Sequence, residues 1–262
     1  MGLGRQISLG WRWFGQSLLC LRRQPLAFTA IVAVYAMTMG LSGAFPLIGA
    51  LLAGLFWPFG TVMVALAGRE SLAGRTPTLG GLRESFAERT TRLRLIRAGI
   101  LYAILVVTIS AVWSLLAAAD IAQWQITDDD RVVWSSALEH VPYAAIIACL
   151  LLYIPGAMAL WFAPLLIYCK NLPLPKALFF SLVGCLKNIL AVVLALLLAF
   201  CCFSGVTAAV SALLVLTGLS SISVFVLLPV SLFGTALIYG TYYPMWQSVF
   251  SGVSQESTTP DL

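Results

Sequence analysis

Charge is what this sequence has least of. Only 10% of its 262 residues are Asp, Glu, Lys or Arg, and there is one histidine, His140. Soluble domains carry about 25% charged residues, so water is excluded as the chain's main solvent. None of the long apolar stretches contains an ionisable Asp, Glu, Lys, Arg or His. Ion- and proton-coupled carriers keep such groups at membrane depth to bind the ion or relay the proton, so this absence weakens that class. HExxH, GxSxG, P-loop and Asp-rich metal motifs are all missing. Without a nucleophile, base or metal set, no enzyme is expected, and no cofactor. The six cysteines, Cys20, Cys149, Cys169, Cys185, Cys201 and Cys202, form no CxxC pair. They sit in apolar stretches or on the side of the membrane opposite His140, which argues against a Cys/His zinc site and a disulfide framework. The adjacent Cys201 and Cys202 read as two small apolar helix residues. Asp128, Asp129 and Asp130 lack a second carboxylate cluster at ligand spacing and read as a solvated loop, so no metal site is expected.

What is abundant is apolar sequence: 61% of residues, with mean hydropathy +0.98. The runs exceed what a buried core helix needs and match a bilayer's ~30 Å core. The expected fold is therefore an all-α polytopic membrane protein with six spans. They cover about 26–44, 46–67, 98–118, 143–168, 188–216 and 222–243. The fifth is longer than the core requires, so tilt or a break near Ser204 and Gly205 is expected. The net charge of +5 could point to nucleic acid, but position decides otherwise. Fourteen of the fifteen Lys and Arg residues fall on one side once the spans are drawn, Arg131 being the exception. That is the positive-inside pattern, and it places both termini in the cytoplasm of a bacterial inner membrane. The loop 119–142 carries the acidic residues and faces out. Anionic lipid headgroups and another membrane protein complex are the expected partners, and nucleic acid is not.

Between spans lie amphipathic segments. Ile7, Trp11, Phe14, Leu18 and Leu21 recur at helical spacing, with Arg5, Ser8, Arg12, Gln16 and Arg23 largely off that stripe. This predicts an interfacial helix, and the length of the next apolar stretch argues against a cleavable signal. Leu79, Leu82, Phe86 and Leu93 predict a second such helix, supported by a Glu88–Arg92 pair. Residues 173–187 predict a third. The tail, 251–262, reads as a disordered polar segment after a single membrane domain, 1–250.

The chain also matches itself at an offset of 96: Pro46 with Pro142, Gly60 with Gly156, Pro77 with Pro173, Leu82 with Leu178, Ser85 with Ser181. Ser17 aligns with the two serines, and Phe59-Gly60-Thr61 recurs as Phe233-Gly234-Thr235. A unit of elbow helix, span up and span down would occur three times, at about 5–69, 70–170 and 171–248, as a parallel repeat about an axis along the membrane normal. Each even span carries Pro before Gly: Pro58 and Gly60, Pro155 and Gly156, Pro229 and Gly234. With Trp161 and Pro164 these are the candidate kinks or cavity wall; tolerated packing kinks are the plainer reading. Arg22, Arg23, Arg92, Arg94, Arg97 and Lys187 form a candidate ring for lipid headgroups, or an orientation signal and no more.

Arg22-Arg23-Gln24-Pro25-Leu26, the run from Ala159 to Leu165, and Lys176-Ala177-Leu178-Phe179-Phe180-Ser181 with Cys185 beyond it resemble a family of uncharacterised proteobacterial six-span inner-membrane proteins. The likeness runs along nearly the whole chain and is more distantly similar to YciC-type membrane proteins. It implies location and fold, and it supplies no catalytic residues. The expected function is a non-enzymatic protein that acts on lipid or a membrane partner in envelope organisation or assembly. The alternative is a lipid or small-molecule permease or channel using the even spans. A cavity between spans two, four and six would favour the alternative.

Overall fold

A computed structural model describes residues 2–45, 48–78, 80, 86, 88–127 and 131–251. The chain is an all-α polytopic membrane protein, and among the described residues six helical segments are long and apolar enough to cross a bilayer. In chain order the helices are α1 (Leu3–Arg23), α2 (Pro25–Gly43), α3 (Gly49–Leu72), α4 (Arg89–Ile121), α5 (Trp134–Glu139), α6 (Tyr143–Trp161), α7 (Ala163–Lys170), α8 (Leu174–Lys187), α9 (Ile189–Leu216), α10 (Ser223–Gly240) and α11 (Tyr242–Phe250). Spans one to six are α2, α3, α4, α6 with α7, α9, and α10 with α11. Odd spans start, and even spans finish, at the end of the bundle that carries the cations, here called the basic end.

The first amphipathic helix forms as the spacing predicts, but it turns an unexpected face to the protein. Its buried stripe is Gln6, Gly10, Trp13, Ser17 and Cys20, while Ile7, Trp11 and Leu18 are exposed. α8 does the same, burying Ala177, Ser181, Gly184 and Cys185 and exposing Phe179 and Leu186. Small and weakly polar residues let these helices lie close against the spans, and the apolar stripe is left exposed. Pro25 ends α1, because the residue before a proline avoids the helical region and Gln24 sits at φ −137°. Asn188 ends α8 and donates from Nδ2 to the Gly184 carbonyl at 2.9 Å.

α1 and α8 each drive a serine into an even span. The Ser181 hydroxyl accepts from the Phe162 N–H at 2.8 Å and donates to the Met158 carbonyl at 2.8 Å. Phe162 and Met158 are four apart, so the hydroxyl stands in for the helical bond between them, and the span breaks there. The Ser17 hydroxyl donates to the Leu237 carbonyl, whose own helical donor, the Thr241 N–H, has turned to Ile238. Span six breaks at that point into α10 and α11.

Several expectations need correction. The break in span four lies at Phe162, beside the predicted kink residue Pro164 in the first turn of α7, and that in span six at Thr241, whereas α3, α6 and α10 run through Pro58, Pro155 and Pro229. α9 is unbroken at Ser204 and Gly205. α4 starts at Arg89 and includes Leu93, so the end of the second amphipathic stretch belongs to span three. Glu88 accepts from the Thr91 hydroxyl rather than pairing with Arg92. Leu79, Leu82, Ser85, the three aspartates 128–130 and residues 252–262 lie outside the described residues.

Candidate functional site

Even-span residues pack most densely at the basic end. Phe162, Ala163, Pro164, Leu165, Leu166 and Ile167 are buried without interruption, as are Val64 to Gly68 in span two. Span six adds Tyr242, Met245 and Trp246. Phe162 stacks on Tyr242 at 5.9 Å and meets Phe250 edge-on at 5.5 Å. The Tyr242 hydroxyl donates to the Trp161 carbonyl, which ties span four to span six. Toward the other end the bundle loosens. Leu150 to Pro155 are all exposed. At that depth every side chain of span four is partly open, Leu151 most of all at 70%. Span six has no buried residue before Gly234.

Above the aromatic plug sits a cavity of about 390 Å³ lined from all six spans. Five tyrosines, Tyr35, Tyr102, Tyr153, Tyr239 and Tyr242, and two tryptophans, Trp57 and Trp161, dominate its wall. Tyr35 is ten residues into span one and Tyr153 ten into span four from the other side. At ~1.5 Å per residue both stand near the middle of a ~30 Å core. Trp57 stacks on Tyr102 at 4.9 Å with planes 9° apart, and Tyr35 meets Tyr239 edge-on at 5.4 Å. No lining residue is ionisable as a carboxylate, ammonium, guanidinium or imidazole.

Of the residues singled out as a kink or cavity wall, Trp161 lines the cavity. Pro155 and Pro229 are exposed, and Pro58 and Pro164 are buried in packing. The glycines have another use. A Cβ on Gly60 would strike the Tyr35 ring, one on Gly156 the Leu105 side chain, and one on Gly234 the Phe203 ring. In each hairpin the even-span glycine is the seat of an odd-span side chain. The wall is made by their neighbours Trp57, Thr61 and Ala157, each one residue away from a predicted position.

The six candidate ring cations sit where odd spans begin. Arg23 donates to the Leu72 carbonyl, and Arg94 donates to the Asn171 carbonyl at 2.7 Å and to its side-chain oxygen. Each links the entry of an odd span to the exit of its own even span. Arg22, Arg92, Arg97 and Lys187 are exposed, and their side chains have no partner among the described residues. The Lys187 carbonyl accepts from Gln6 Nε2 at 3.3 Å, joining α8 to α1. Nearby, Arg75 and Arg69 both pair with Glu70.

A probable inner membrane protein of Burkholderia thailandensis is 35% identical to this chain over 262 residues, an alignment covering 97% of the chain and 94% of the relative. The chain belongs to that inner-membrane protein family. No protein-family model matches it, so the more distant YciC-type likeness gains no support, and no solved structure matches it.

For this multi-pass inner-membrane protein, sequence reasoning missed the tyrosines. Scattered singly over different spans, they show no motif. The available signal was depth, and it marked only two: Tyr35 and Tyr153 stand well inside apolar runs, away from the interfacial belts where tyrosine is common, whereas Tyr102 and Tyr239 lie about a turn from the ends of theirs.

Proposed function

We propose that the protein takes a small uncharged amphiphile from the bilayer into its central cavity, as a permease or lipid carrier and not as an enzyme. The mid-membrane aromatic cavity carries this reading. A cavity between the even spans is the feature that separates a permease from a scaffold for envelope assembly, and here it draws walls from all six spans. At about 390 Å³ it falls within the roughly 300–1,000 Å³ range of small-molecule sites. The aromatic plug closes it toward the basic end. The charge bias assigns that end, with both termini, to the cytoplasm.

The test is lipid retention. Native mass spectrometry of the protein released from membranes should find an apolar molecule retained by the wild type and lost in Ala157→Phe, which fills the cavity. Equal retention in the two would sink the uptake reading. Reporter fusions after Asp130 should read outside, and those after Arg89, Lys170 and Gln255 inside; a cytoplasmic signal at Asp130 would end the orientation.

The partner reading keeps one supporting observation, the unpaired and exposed Arg22, Arg92, Arg97 and Lys187. Each would attract anionic headgroups by roughly 1 kcal/mol near a charged surface. Replacing Arg92, Arg94 and Arg97 by Gln should reduce bound anionic lipid with topology intact. Undiminished retention leaves them as orientation signals.

The three-unit organisation belongs to the same proposal. It is supported by the glycine seats at 60, 156 and 234, by the serine insertions from α1 and α8, and by the Arg23 and Arg94 links.

A further inference from the structure

The wall's polar chemistry narrows what the cavity holds. An ionised headgroup drawn to this depth would meet no counter-charge, and burying an unpaired ion outweighs the apolar contacts available. The ligand is therefore neutral. Tyr102 and Tyr153 line the cavity from adjacent spans, and neither hydroxyl has a protein hydrogen-bond partner among the described residues. With no water in a bilayer core to take their protons, these donors call for an acceptor on the occupant, and a carbonyl oxygen is the neutral acceptor that fits.

Flat aromatic faces stand in the rest of the wall among aliphatic side chains such as Leu105, Val106 and Ile109. Trp57 lies stacked on Tyr102, and Trp161 stands edge-on to Tyr242 at 6.0 Å and 73°. Such surfaces take up a planar ring by offset stacking and edge contacts. The route is from the lipid phase, because the partly exposed stretch from Leu150 to Pro155 carries Tyr153 into the cavity wall, and the basic end is plugged. We propose that the cavity binds the head of a quinone-type lipid, a planar uncharged ring whose carbonyl oxygens accept from Tyr102 and Tyr153 while its tail stays in the bilayer. This rests on the uptake reading above and names its ligand class.

The experiment uses the full chain in nanodiscs of phosphatidylethanolamine and phosphatidylglycerol, titrated with a short-tailed benzoquinone. Tryptophan fluorescence should fall to a plateau at one quinone per chain. Tyr102→Phe with Tyr153→Phe, which keeps both rings and removes both donors, should loosen binding at least tenfold. Tyr153→Phe alone, at a half-exposed position, should loosen it several-fold and keeps the test open if the double variant folds poorly. Quenching that never saturates, or saturable binding unaffected by loss of the hydroxyls, would overturn the assignment. A photoreactive monoacylglycerol, uncharged and without a quinone ring, separates the two levels. If it labels the cavity, is blocked by Ala157→Phe, and the quinone does not saturate, uptake stands and the quinone assignment falls. If neither ligand enters, both fall.

Discussion

Span four holds two stretches of nearly equal hydrophobicity and opposite fate. Leu150-Leu151-Leu152-Tyr153-Ile154-Pro155 is exposed throughout, and Phe162-Ala163-Pro164-Leu165-Leu166-Ile167 is buried throughout. In water the two would compete equally for a core. In a bilayer lipid tails solvate leucine as well as protein does, so apolar character gives no preference for the interior. What differs is the hydrogen bonding and close fit around the second stretch. The Ser181 hydroxyl is inserted before it, the Tyr242 hydroxyl holds the Trp161 carbonyl, and the Phe162 ring stacks in the plug. Polar anchors and shape hold the basic half together, and the other half is left free to open around a ligand.

The sharpest way to break this contrast is to truncate one large side chain in each half. Phe162→Ala removes a fully buried ring and should cost about 3–5 kcal/mol. Leu151→Ala, 70% exposed, should stay within about 0.5 kcal/mol. Reversible unfolding in lipid–detergent micelles measures both, and similar losses would erase the difference between the halves. Next in size are the serines. Ser181→Ala and Ser17→Ala should each cost about 1–3 kcal/mol by leaving a carbonyl without its donor. Ser204→Ala, in the looser half of span five, should cost no more than about 0.5 kcal/mol. A Ser204 effect as large as the other two would show that hydroxyls matter equally in both halves.

The smallest effect concerns pH. Burial pushes the Cys20 thiol up to about 11 and the Cys185 thiol to about 12 from an ordinary 9.0. A thiol whose folded pKa is raised contributes stability that is complete below pH 9 and lost as pH rises through its folded value. The melting temperature should therefore decline between about pH 9 and 11. Cys20→Ala with Cys185→Ala, both in helices that lie against the bundle, should flatten that decline. A slope unchanged in the double variant would assign alkaline loss elsewhere.

The six crossings were legible because length and hydropathy are nearly all a span requires, and the boundaries of span one fall within a residue or so of those expected. α1 and α8 were legible as amphipathic helices, but which stripe faces protein was not: the periodicity of Ile7, Trp11 and Leu18 reports a preference for lipid as readily as for a core. The breaks were misassigned for a similar reason. Pro58, Pro155 and Pro229 announce a missing donor in the sequence, yet the helices absorb them, while the actual interruptions come from hydroxyls delivered by residues as distant as Ser17. Pro164, just past Phe162, marks the break in span four locally, but nothing near Phe162 or Thr241 encodes the arrival of the serine hydroxyl. The cavity was hidden because its walls assemble from single residues on six separate helices.

The Ser17 contact also orders the protein's own manufacture. Its acceptor, the Leu237 carbonyl, lies 220 residues further along the chain. While the intervening spans are threaded into the membrane, α1 can tie to span two through Arg23 and Leu72, but its acceptor on the last hairpin does not yet exist. Only when span six has crossed can the first helix settle across the last hairpin, with Gly10 tight against Leu194. The bundle is thus fastened by its oldest segment onto its newest, and a chain cut short before span six leaves that fastening open.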